Sequence, residues 1–156
     1  MTQLIDTFGR GHRDLRVSLT DRCNLRCTYC MPHDFAAWLP SADLLTTDEL
    51  IAIIEVAVSQ GIDEIRLTGG EPMLHPNFIK TIDMIISTGR QHLITLDIFT
   101  NASWVPKDKI FNRLKQFKKV VINLSIDGVG KVNDYIRNPS KWSDVEGAVR
   151  QWLEAK

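Results

Sequence analysis

Three cysteines, Cys23, Cys27 and Cys30, fall within eight residues of the chain. Thiolates are soft ligands that bind zinc and iron–sulfur clusters. An odd number of cysteines cannot form a closed set of disulfides, so the C-x3-C-x2-C spacing indicates a metal centre in a reducing compartment. Three thiolates can hold three irons of a cubane cluster and leave the fourth iron open, whereas electron-transfer clusters usually have four cysteine ligands. An open coordination position is typical of a site where another molecule binds.

The same residues allow two less reactive interpretations. His33 follows Cys30 by three residues and could complete a structural Cys3His zinc site. Alternatively, the three thiols could be buried structural side chains, an interpretation that the Pro and Asp residues flanking the loop do not favour. Neither interpretation accounts for the other motifs along the chain.

The cysteine loop needs a scaffold, and the hydrophobic pattern predicts four strand–helix pairs. The predicted strands cover residues 14–19, 64–68, 93–99 and 120–125. The predicted helices begin near Thr46, Pro76, Pro106 and Ser143, with capping boxes at Thr46–Glu49 and Ser143–Glu146. This order predicts an α/β fold with a parallel sheet and right-handed crossovers. Four units amount to a parallel (β/α)4 partial TIM-like barrel, which we expect to form a single domain over residues 1–156.

Each helix carries apolar residues at helical spacing, and these are expected to face the sheet. The expected core positions are Leu50, Ile53, Ile54, Ala57 and Val58 in the first helix, Phe78, Ile82, Ile85 and Ile86 in the second, Ile110, Leu114 and Phe117 in the third, and Val145, Val149, Trp152 and Leu153 in the fourth.

Every unusual short motif follows a predicted strand. The cysteine loop at residues 20–33 follows the first strand, and a Gly-Gly-Glu-Pro run at residues 69–72 follows the second. The Thr100-Asn101 step follows the third strand, Ser125 ends the fourth strand, and Asp127-Gly128 follows it. Because the carboxyl ends of parallel strands meet at one edge, where such folds build their sites, we expect the four motifs to converge there.

Composition restricts the classes of partner. The 156 residues include 19 basic and 19 acidic side chains, for a formal net charge of +0. This balance argues against nucleic-acid or membrane-surface binding, which usually needs a basic excess. No apolar run approaches the length of a membrane span, and the amino terminus lacks the pattern of a signal peptide. A cytoplasmic protein is expected.

The combination of motifs resembles the radical S-adenosylmethionine (SAM) superfamily. The resemblance rests on the cysteine spacing, with Tyr29 before the third cysteine, and on the Gly-Gly-Glu-Pro run after the next strand; it covers most of the chain. It implies that Cys23, Cys27 and Cys30 hold a [4Fe-4S] cluster whose fourth iron chelates SAM. One electron then cleaves SAM to methionine and a 5′-deoxyadenosyl radical, which abstracts hydrogen from the substrate. The electron donor would be a protein such as flavodoxin or ferredoxin.

The same resemblance assigns SAM contacts to the four loops. It implies that Tyr29 lies near the adenine and that Glu71 provides an anion near the methionine ammonium, which the glycine backbone can approach closely. Ser125 matches a position where the family makes a ribose or carboxylate contact. Asn101 and Asp127 are weaker matches, whose alternative role is to cap turns. The full expected set is Tyr29, Gly69, Gly70, Glu71, Pro72, Asn101, Ser125 and Asp127.

The first 50 or so residues resemble the GTP 3′,8-cyclase family of molybdenum cofactor biosynthesis. The resemblance rests on residues 8–10, 14–22, 30–32, 38–40 and 44–46. It implies that Arg16 and Arg66 contact GTP, and a guanidinium suits a phosphate because it can donate two parallel hydrogen bonds. The alternative for both arginines is an ion pair at a strand edge.

Other features depart from the cyclase pattern. The threonine that this family places before the Thr-Asn step is Phe99 here, and the carboxyl-terminal cysteine triplet, the Gly-Gly tail and the fifth and sixth strands are absent from the sequence. Residues 75–78, 125–130 and 133–137 are more similar to twitch/SPASM-type radical SAM proteins, which implies a peptide or protein substrate. The unpaired edge of a four-stranded sheet also predicts self-association.

Overall fold

The computed structural model describes residues 4–31, 37–103 and 108–154. It contains a sheet of four parallel strands in the order β1-β2-β3-β4. The strands are β1 Asp14–Ser18, β2 Glu64–Thr68, β3 Thr95–Thr100 and β4 Lys119–Leu124. The helices are α1 Thr47–Ser59, α2 Phe78–Ser87, α3 Asp108–Leu114, α4 Lys131–Ile136 and α5 Trp142–Glu154. The predicted parallel α/β fold is confirmed.

The two faces of the sheet differ in chemistry because alternate residues of a strand point to opposite sides. Strand residues such as Ile65, Leu67 and Leu96 are fully buried and pack with apolar residues of α1, α2 and α3 in a single core. The opposite face carries Arg16, Arg66 and Asp97, which are register partners on three neighbouring strands. Sequential strand order with these helices on one face is the arrangement of a barrel segment.

Local signals determine where several elements begin. Thr46 caps α1 with the predicted capping box: its hydroxyl accepts from the Glu49 N–H at 3.2 Å, and the Glu49 carboxylate accepts from the Thr46 N–H at 2.8 Å. Gly61, just after α1, has a φ of 95°, a conformation that glycine adopts at low cost. No helix in the described part of the chain is long and apolar enough to cross a membrane.

Some predicted boundaries and core positions were wrong. Ile53 and Leu153 are exposed, and Leu93 lies in a 3-10 turn before β3 instead of in the strand. Helix α5 begins at Trp142, so Ser143 does not cap it; the Asp134 carboxylate accepts from the Trp142 N–H at 2.6 Å instead. Helix α4 was not predicted because its six residues are too few to show a period. The predicted start of the third helix near residue 106 lies outside the described residues.

A close backbone junction joins the ends of β1 and β2. The N–H groups of Gly70 and Glu71 donate to the carbonyls of Thr20 and Arg22 at 2.7 and 2.8 Å, which extends the ladder beyond the strands. A Cβ on Gly69, whose φ is 117°, would lie 2.3 Å from the Thr20 carbonyl oxygen, and one on Gly70 would lie 2.0 Å from that of Arg22. Both positions therefore require glycine for the cysteine loop to pass this close.

Gly70→Ala should consequently destabilise the fold, because the new methyl group meets backbone that cannot move aside. We expect the free energy of unfolding to fall by about 1–3 kcal/mol or more, the usual cost of overpacking. Urea denaturation measures it. Gly147→Ala is the matched control, since no atom lies within 4 Å of a Cβ there and alanine in a helix interior adds about 0.5–1 kcal/mol. Equal stability of the two variants would contradict the conclusion that Gly70 must be a glycine at this junction.

Candidate active site

The cysteine loop leaves the end of β1 and is fixed by backbone from the other end of the chain. The N–H of Arg26 donates to the carbonyl of Asn138 at 2.6 Å, and the N–H of Thr28 donates to that of Ile136 at 3.0 Å. Along this loop Cys23 is half-buried, Cys27 is buried and Cys30 is exposed. The segment after α4 thus positions a loop that precedes it by more than a hundred residues.

Two N–H donors lie near the Cys23 sulfur. The Leu25 N–H donates to Sγ at 3.4 Å, and the side-chain amide of Asn101 lies 3.6 Å from it. The same amide donates to Asn24 Oδ1 at 2.9 Å. Donors of this kind stabilise and tune iron–sulfur clusters. Three thiols on one loop, with N–H donors at the Cys23 sulfur, are compatible with an iron–sulfur cluster that has one iron without a protein ligand.

Glu71 is fully buried and joins the loops that follow β2 and β3. Its carboxylate accepts from the Met73 N–H at 3.2 Å, the Thr100 hydroxyl at 2.9 Å and the Asn101 N–H at 2.6 Å. Burial raises the pKa of Glu71, and these three hydrogen bonds oppose that rise. The carboxylate holds the backbone at Asn101, whose side chain reaches Cys23.

Tyr29, Asp127 and Arg137 connect the cysteine loop to the segment after β4. The Tyr29 hydroxyl donates to the Asp127 carboxylate at 2.8 Å and accepts from Arg137 at 2.8 Å. Arg137, which is only 7% exposed, also pairs with Asp127 at 2.6 Å. Partial burial and the Asp127 hydrogen bond raise the pKa of Tyr29 to about 12. Burial alone would raise the pKa of Asp127, but Tyr29 and Arg137 outweigh it and hold that pKa below its usual range.

The Cys27 thiol lies in an environment that opposes its ionisation. Burial raises its pKa, the neighbouring Cys23 and Cys30 raise it further, and the Arg137 charge acts in the opposite direction. Because the thiolate is the form that binds metal, binding at Cys27 must overcome its burial.

The other residues expected to contact SAM occupy the same rim. Pro72 is buried at the start of a 3-10 turn. The Ser125 N–H donates to the Thr100 carbonyl at 2.8 Å, while its hydroxyl has no hydrogen-bond partner among the residues described. Arg16 and Arg66 lie on the polar face of the sheet, on β1 and β2. The four motifs therefore meet at the carboxyl ends of the strands, as the strand order predicts.

Sequence reasoning missed Asn24 and Arg137 as members of the site, and it included Thr100 in a motif without giving it a role. Thr100 and Asn24 lie beside predicted residues, and the polar type of each was the only signal available. Arg137 belongs to the segment 133–137, for which no site role was predicted, because nothing in the sequence shows that an arginine will be buried.

A cavity of about 600 Å³ adjoins the cysteine loop between the first turns of α1 and α2. Cys23 and Glu71 are the predicted site residues among its lining, which also includes Arg22, His75 and Lys80. Within the described residues, no three His, Cys, Asp or Glu side chains converge on a position for a single metal ion. His33, the fourth ligand of the zinc interpretation, lies outside those residues.

Comparison with known proteins extends these observations. The profile of the Radical SAM superfamily matches residues 17–156. The chain is 58% identical over 83 residues to the GTP 3′,8-cyclase of Streptomyces coelicolor, an alignment that covers 53% of this chain and 24% of the relative. It is 41% identical over 125 residues to human molybdenum cofactor biosynthesis protein 1, covering 80% of this chain and 19% of that protein. The chain thus spans between about a fifth and a quarter of the length of these relatives.

Two solved structures share the fold. Streptococcus suis SuiB bound to the precursor peptide SuiA superposes with a TM-score of 0.70 at 18% identity, covering 91% of this chain and 30% of that one. The anSMEcpe structure with bound AdoMet has a TM-score of 0.71 at 21% identity, covering 92% of this chain and 41% of that one. At these identities, both similarities show a shared fold only. Since the superfamily profile spans nearly the whole chain and the cysteine loop lies within it, the chain belongs to the Radical SAM superfamily.

Proposed function

We propose that this chain is the catalytic portion of a radical SAM enzyme in which Cys23, Cys27 and Cys30 hold a [4Fe-4S] cluster. The observation that carries the proposal is the position of the thiols. Cys23 lies at the carboxyl ends of the strands, and its sulfur is next to two N–H donors, from the Leu25 backbone and the Asn101 side chain. Membership of the superfamily supports the same cofactors, the cluster and SAM.

A cluster bound there would supply one electron to the sulfonium of SAM, releasing methionine and a 5′-deoxyadenosyl radical that abstracts hydrogen from a substrate. The chain's own residues would bind and orient SAM. Tyr29 would border the adenine while Asp127 and Arg137 fix its hydroxyl. The unpaired Ser125 hydroxyl would meet the ribose or carboxylate. Asn101 would hold the Cys23 sulfur, and Gly69, Gly70 and Pro72 would bring backbone to the methionine end.

The resemblance implies that Glu71 provides an anion near the methionine ammonium of SAM. We propose a different role for this residue. Its carboxylate already accepts three hydrogen bonds inside the protein, and none of its surface is exposed. We therefore propose that Glu71 acts on SAM through Thr100 and Asn101, whose backbone it holds in place.

For the substrate, GTP is the first candidate and cyclisation the first candidate reaction. Relatives named GTP 3′,8-cyclase, at up to 61% identity over 72 residues, support it. Peptide modification is the second candidate, supported by the fold shared with SuiB bound to its precursor peptide. A flavodoxin- or ferredoxin-type donor and a cytoplasmic location stay predictions.

The proposal is tested by anaerobic reconstitution with iron and sulfide. We expect about four irons per chain and, after reduction, an electron paramagnetic resonance signal that shifts when SAM is added. We also expect 5′-deoxyadenosine to form. Cys27→Ala should abolish both the signal and the product, because it removes the buried ligand of the three.

Cys27→Ala needs a control for general damage to the loop. Thr28→Ala changes the neighbouring exposed side chain and should retain the signal. Stoichiometric zinc in place of iron, or a cluster that does not respond to SAM, would exclude the enzyme and favour a non-catalytic metal-binding module.

The buried Glu71 gives a dependence of stability on pH. An acid whose pKa is raised on folding stabilises the fold most below its unfolded pKa of about 4.3, and that contribution is lost as pH rises through the folded pKa. Relative to Glu71→Gln, the wild-type chain should therefore lose stability as pH rises above about 4. Urea denaturation of both proteins across that range measures the difference.

Glu49 provides a control of opposite sign. The Thr46 N–H and hydroxyl lower the pKa of Glu49, so its contribution appears as pH rises. Relative to Glu49→Gln, the wild-type chain should gain stability over the same range. Parallel pH slopes for the two variants would refute the assignment of Glu71 as a carboxyl whose ionisation is opposed by burial.

We also propose that the chain self-associates through the outer edge of β4, beside which no further strand lies among the described residues. Strand β4 is last in the sheet order, and an apolar groove of about 260 Å³ beside it is lined by Phe111, Leu114, Lys115, Phe117, Val120, Ile122 and Trp152. Unpaired strand edges next to apolar surface promote pairing with another chain.

Light scattering at tens of micromolar should report a mass above that of one chain. Val121→Lys, which places a charge on β4, should shift the mass towards the monomer, whereas Ile53→Lys on the exposed face of α1 should not. A monodisperse monomer with a cooperative melt for the wild-type chain would refute self-association.

A further inference from the structure

The proposed cluster needs one electron, which must come from outside these 156 residues. All three cysteines of the sequence lie in the cysteine loop, so no other cysteine is present to hold a second cluster. The electron therefore has to cross the protein surface near Cys23, Cys27 or Cys30. The surroundings of these three side chains differ, and they favour one route.

Two of the three thiols do not offer a separate entry. Cys27 is buried, and Cys30, although exposed, follows Tyr29, so a protein docked there would obstruct the expected adenine site. Cys23 is half-buried and lines the cavity of about 600 Å³ between the first turns of α1 and α2. Neither Tyr29 nor Ser125 is part of the described lining of this cavity. An approach through the cavity therefore leaves the expected SAM contacts at the rim uncovered.

The cavity presents positive charge beside Cys23. Arg22 is exposed, and its Nη2 donates to the neutral Ser41 hydroxyl at 3.3 Å. Lys80 Nζ lies 3.6 Å from the Asp48 carboxylate, but the two side chains are 57% and 79% exposed. An ion pair so open to water is weak. Both cations can therefore attract an anionic molecule that approaches from solvent.

A third cation lies against the backbone of Cys23. Nη1 of Arg26 donates to the carbonyls of Cys23 and Leu25 at 3.1 and 2.9 Å. Its guanidinium also lies over the Trp38 ring, 5.2 Å from the centroid. Because Arg26 is exposed, it adds to the positive potential around the cysteine loop.

Little negative charge opposes these cations. Of the two acidic side chains in the described lining of the cavity, Glu71 is fully buried and only Asp48 is exposed. His75 also lines the cavity; burial and the Arg22 charge lower its pKa, so it is largely neutral at neutral pH. The surface beside Cys23 is therefore positive, although the formal net charge of the chain is +0.

We infer that this positive surface, with Arg22 and Lys80 at the cavity and Arg26 beside it, is the docking site of an acidic one-electron carrier protein. The carrier loses one electron and the cluster gains it, while no bond or proton changes place. Charge attraction suits such a partner because it speeds encounter more than it strengthens the complex, and redox partners bury little surface and separate readily. The inference rests on the proposed function, because it needs the cluster at Cys23.

The test is stopped-flow reduction of the reconstituted cluster in the absence of SAM. Reduced flavodoxin and reduced [2Fe-2S] ferredoxin are the protein donors, and dithionite is the small-molecule control. Arg22→Gln/Lys80→Gln should lower the second-order rate constant with the protein donors by about fourfold to twentyfold at low salt, the effect of losing two exposed charge contacts. The decrease should be smaller at about 0.5 M salt, where charges are screened. The rate with dithionite should stay within about twofold.

Two further variants separate docking from general charge. Asp48→Asn removes the exposed carboxylate of the cavity and should raise the rate with the protein donors by about twofold. Arg90→Gln removes an exposed arginine before β3, at the opposite end of the sheet, and should leave the rate unchanged. Calorimetric titration of the cluster-bound chain with oxidised flavodoxin should rank the variants in the same order by Kd, without any electron transfer.

The inference is overturned if the double variant is reduced by both proteins as fast as the wild-type chain, or if its rate with dithionite falls equally. It is also overturned if dithionite reduces the wild-type cluster and neither protein does. A cluster reduced through Arg22 and Lys80 that does not respond to SAM would reject the enzyme and leave the inference standing. A response to SAM with an unaffected double variant would reject the inference and leave the enzyme standing.

Discussion

The arrangement of the loops depends on the buried carboxylate of Glu71. A carboxylate without access to water is costly unless donors surround it, and Glu71 has three. Two of these donors are backbone N–H groups, so the side chain fixes the course of the main chain after β3. That course places the Asn101 amide beside the Cys23 sulfur. One interaction thus connects the loops that follow the first three strands.

The glycines before Glu71 make this placement feasible. Gly69 and Gly70 lie against the backbone of residues 20–22, where a Cβ would overlap a carbonyl oxygen. The close approach extends the backbone hydrogen bonds between β1 and β2 beyond the strands. It also brings the start of the cysteine loop next to Glu71, whose N–H donates to the Arg22 carbonyl. The Gly-Gly-Glu-Pro run therefore works as one unit, in which two residues permit contact and the third holds the neighbouring loop. Close approach of the glycine backbone to a cofactor is a separate property that this packing neither requires nor prevents.

Much of the fold was predictable because local signals and periodicity agreed. The Thr46–Glu49 capping box and the strand at residues 64–68 were predicted at their observed positions, and the parallel order brought the four motifs to one rim. Residues whose environment depends on distant segments could not be predicted. Leu153 fits a helical stripe yet is exposed, and Arg137 is charged yet buried. The direction of the Glu71 side chain could not be predicted from the sequence either. The side chain points inward because its donors include an N–H group thirty residues away.

Arg137 explains why the cysteine loop depends on the segment that follows β4. Burial raises the pKa of the Cys27 thiol, and the neighbouring Cys23 and Cys30 raise it further. Arg137 is the positive charge that opposes both effects, and it is itself kept buried by pairing with Asp127. The residues on either side of it, Ile136 and Asn138, accept hydrogen bonds from the backbone of the loop. Geometry and charge for a motif after β1 therefore come from the segment after β4, and a sheet of fewer strands would lack both.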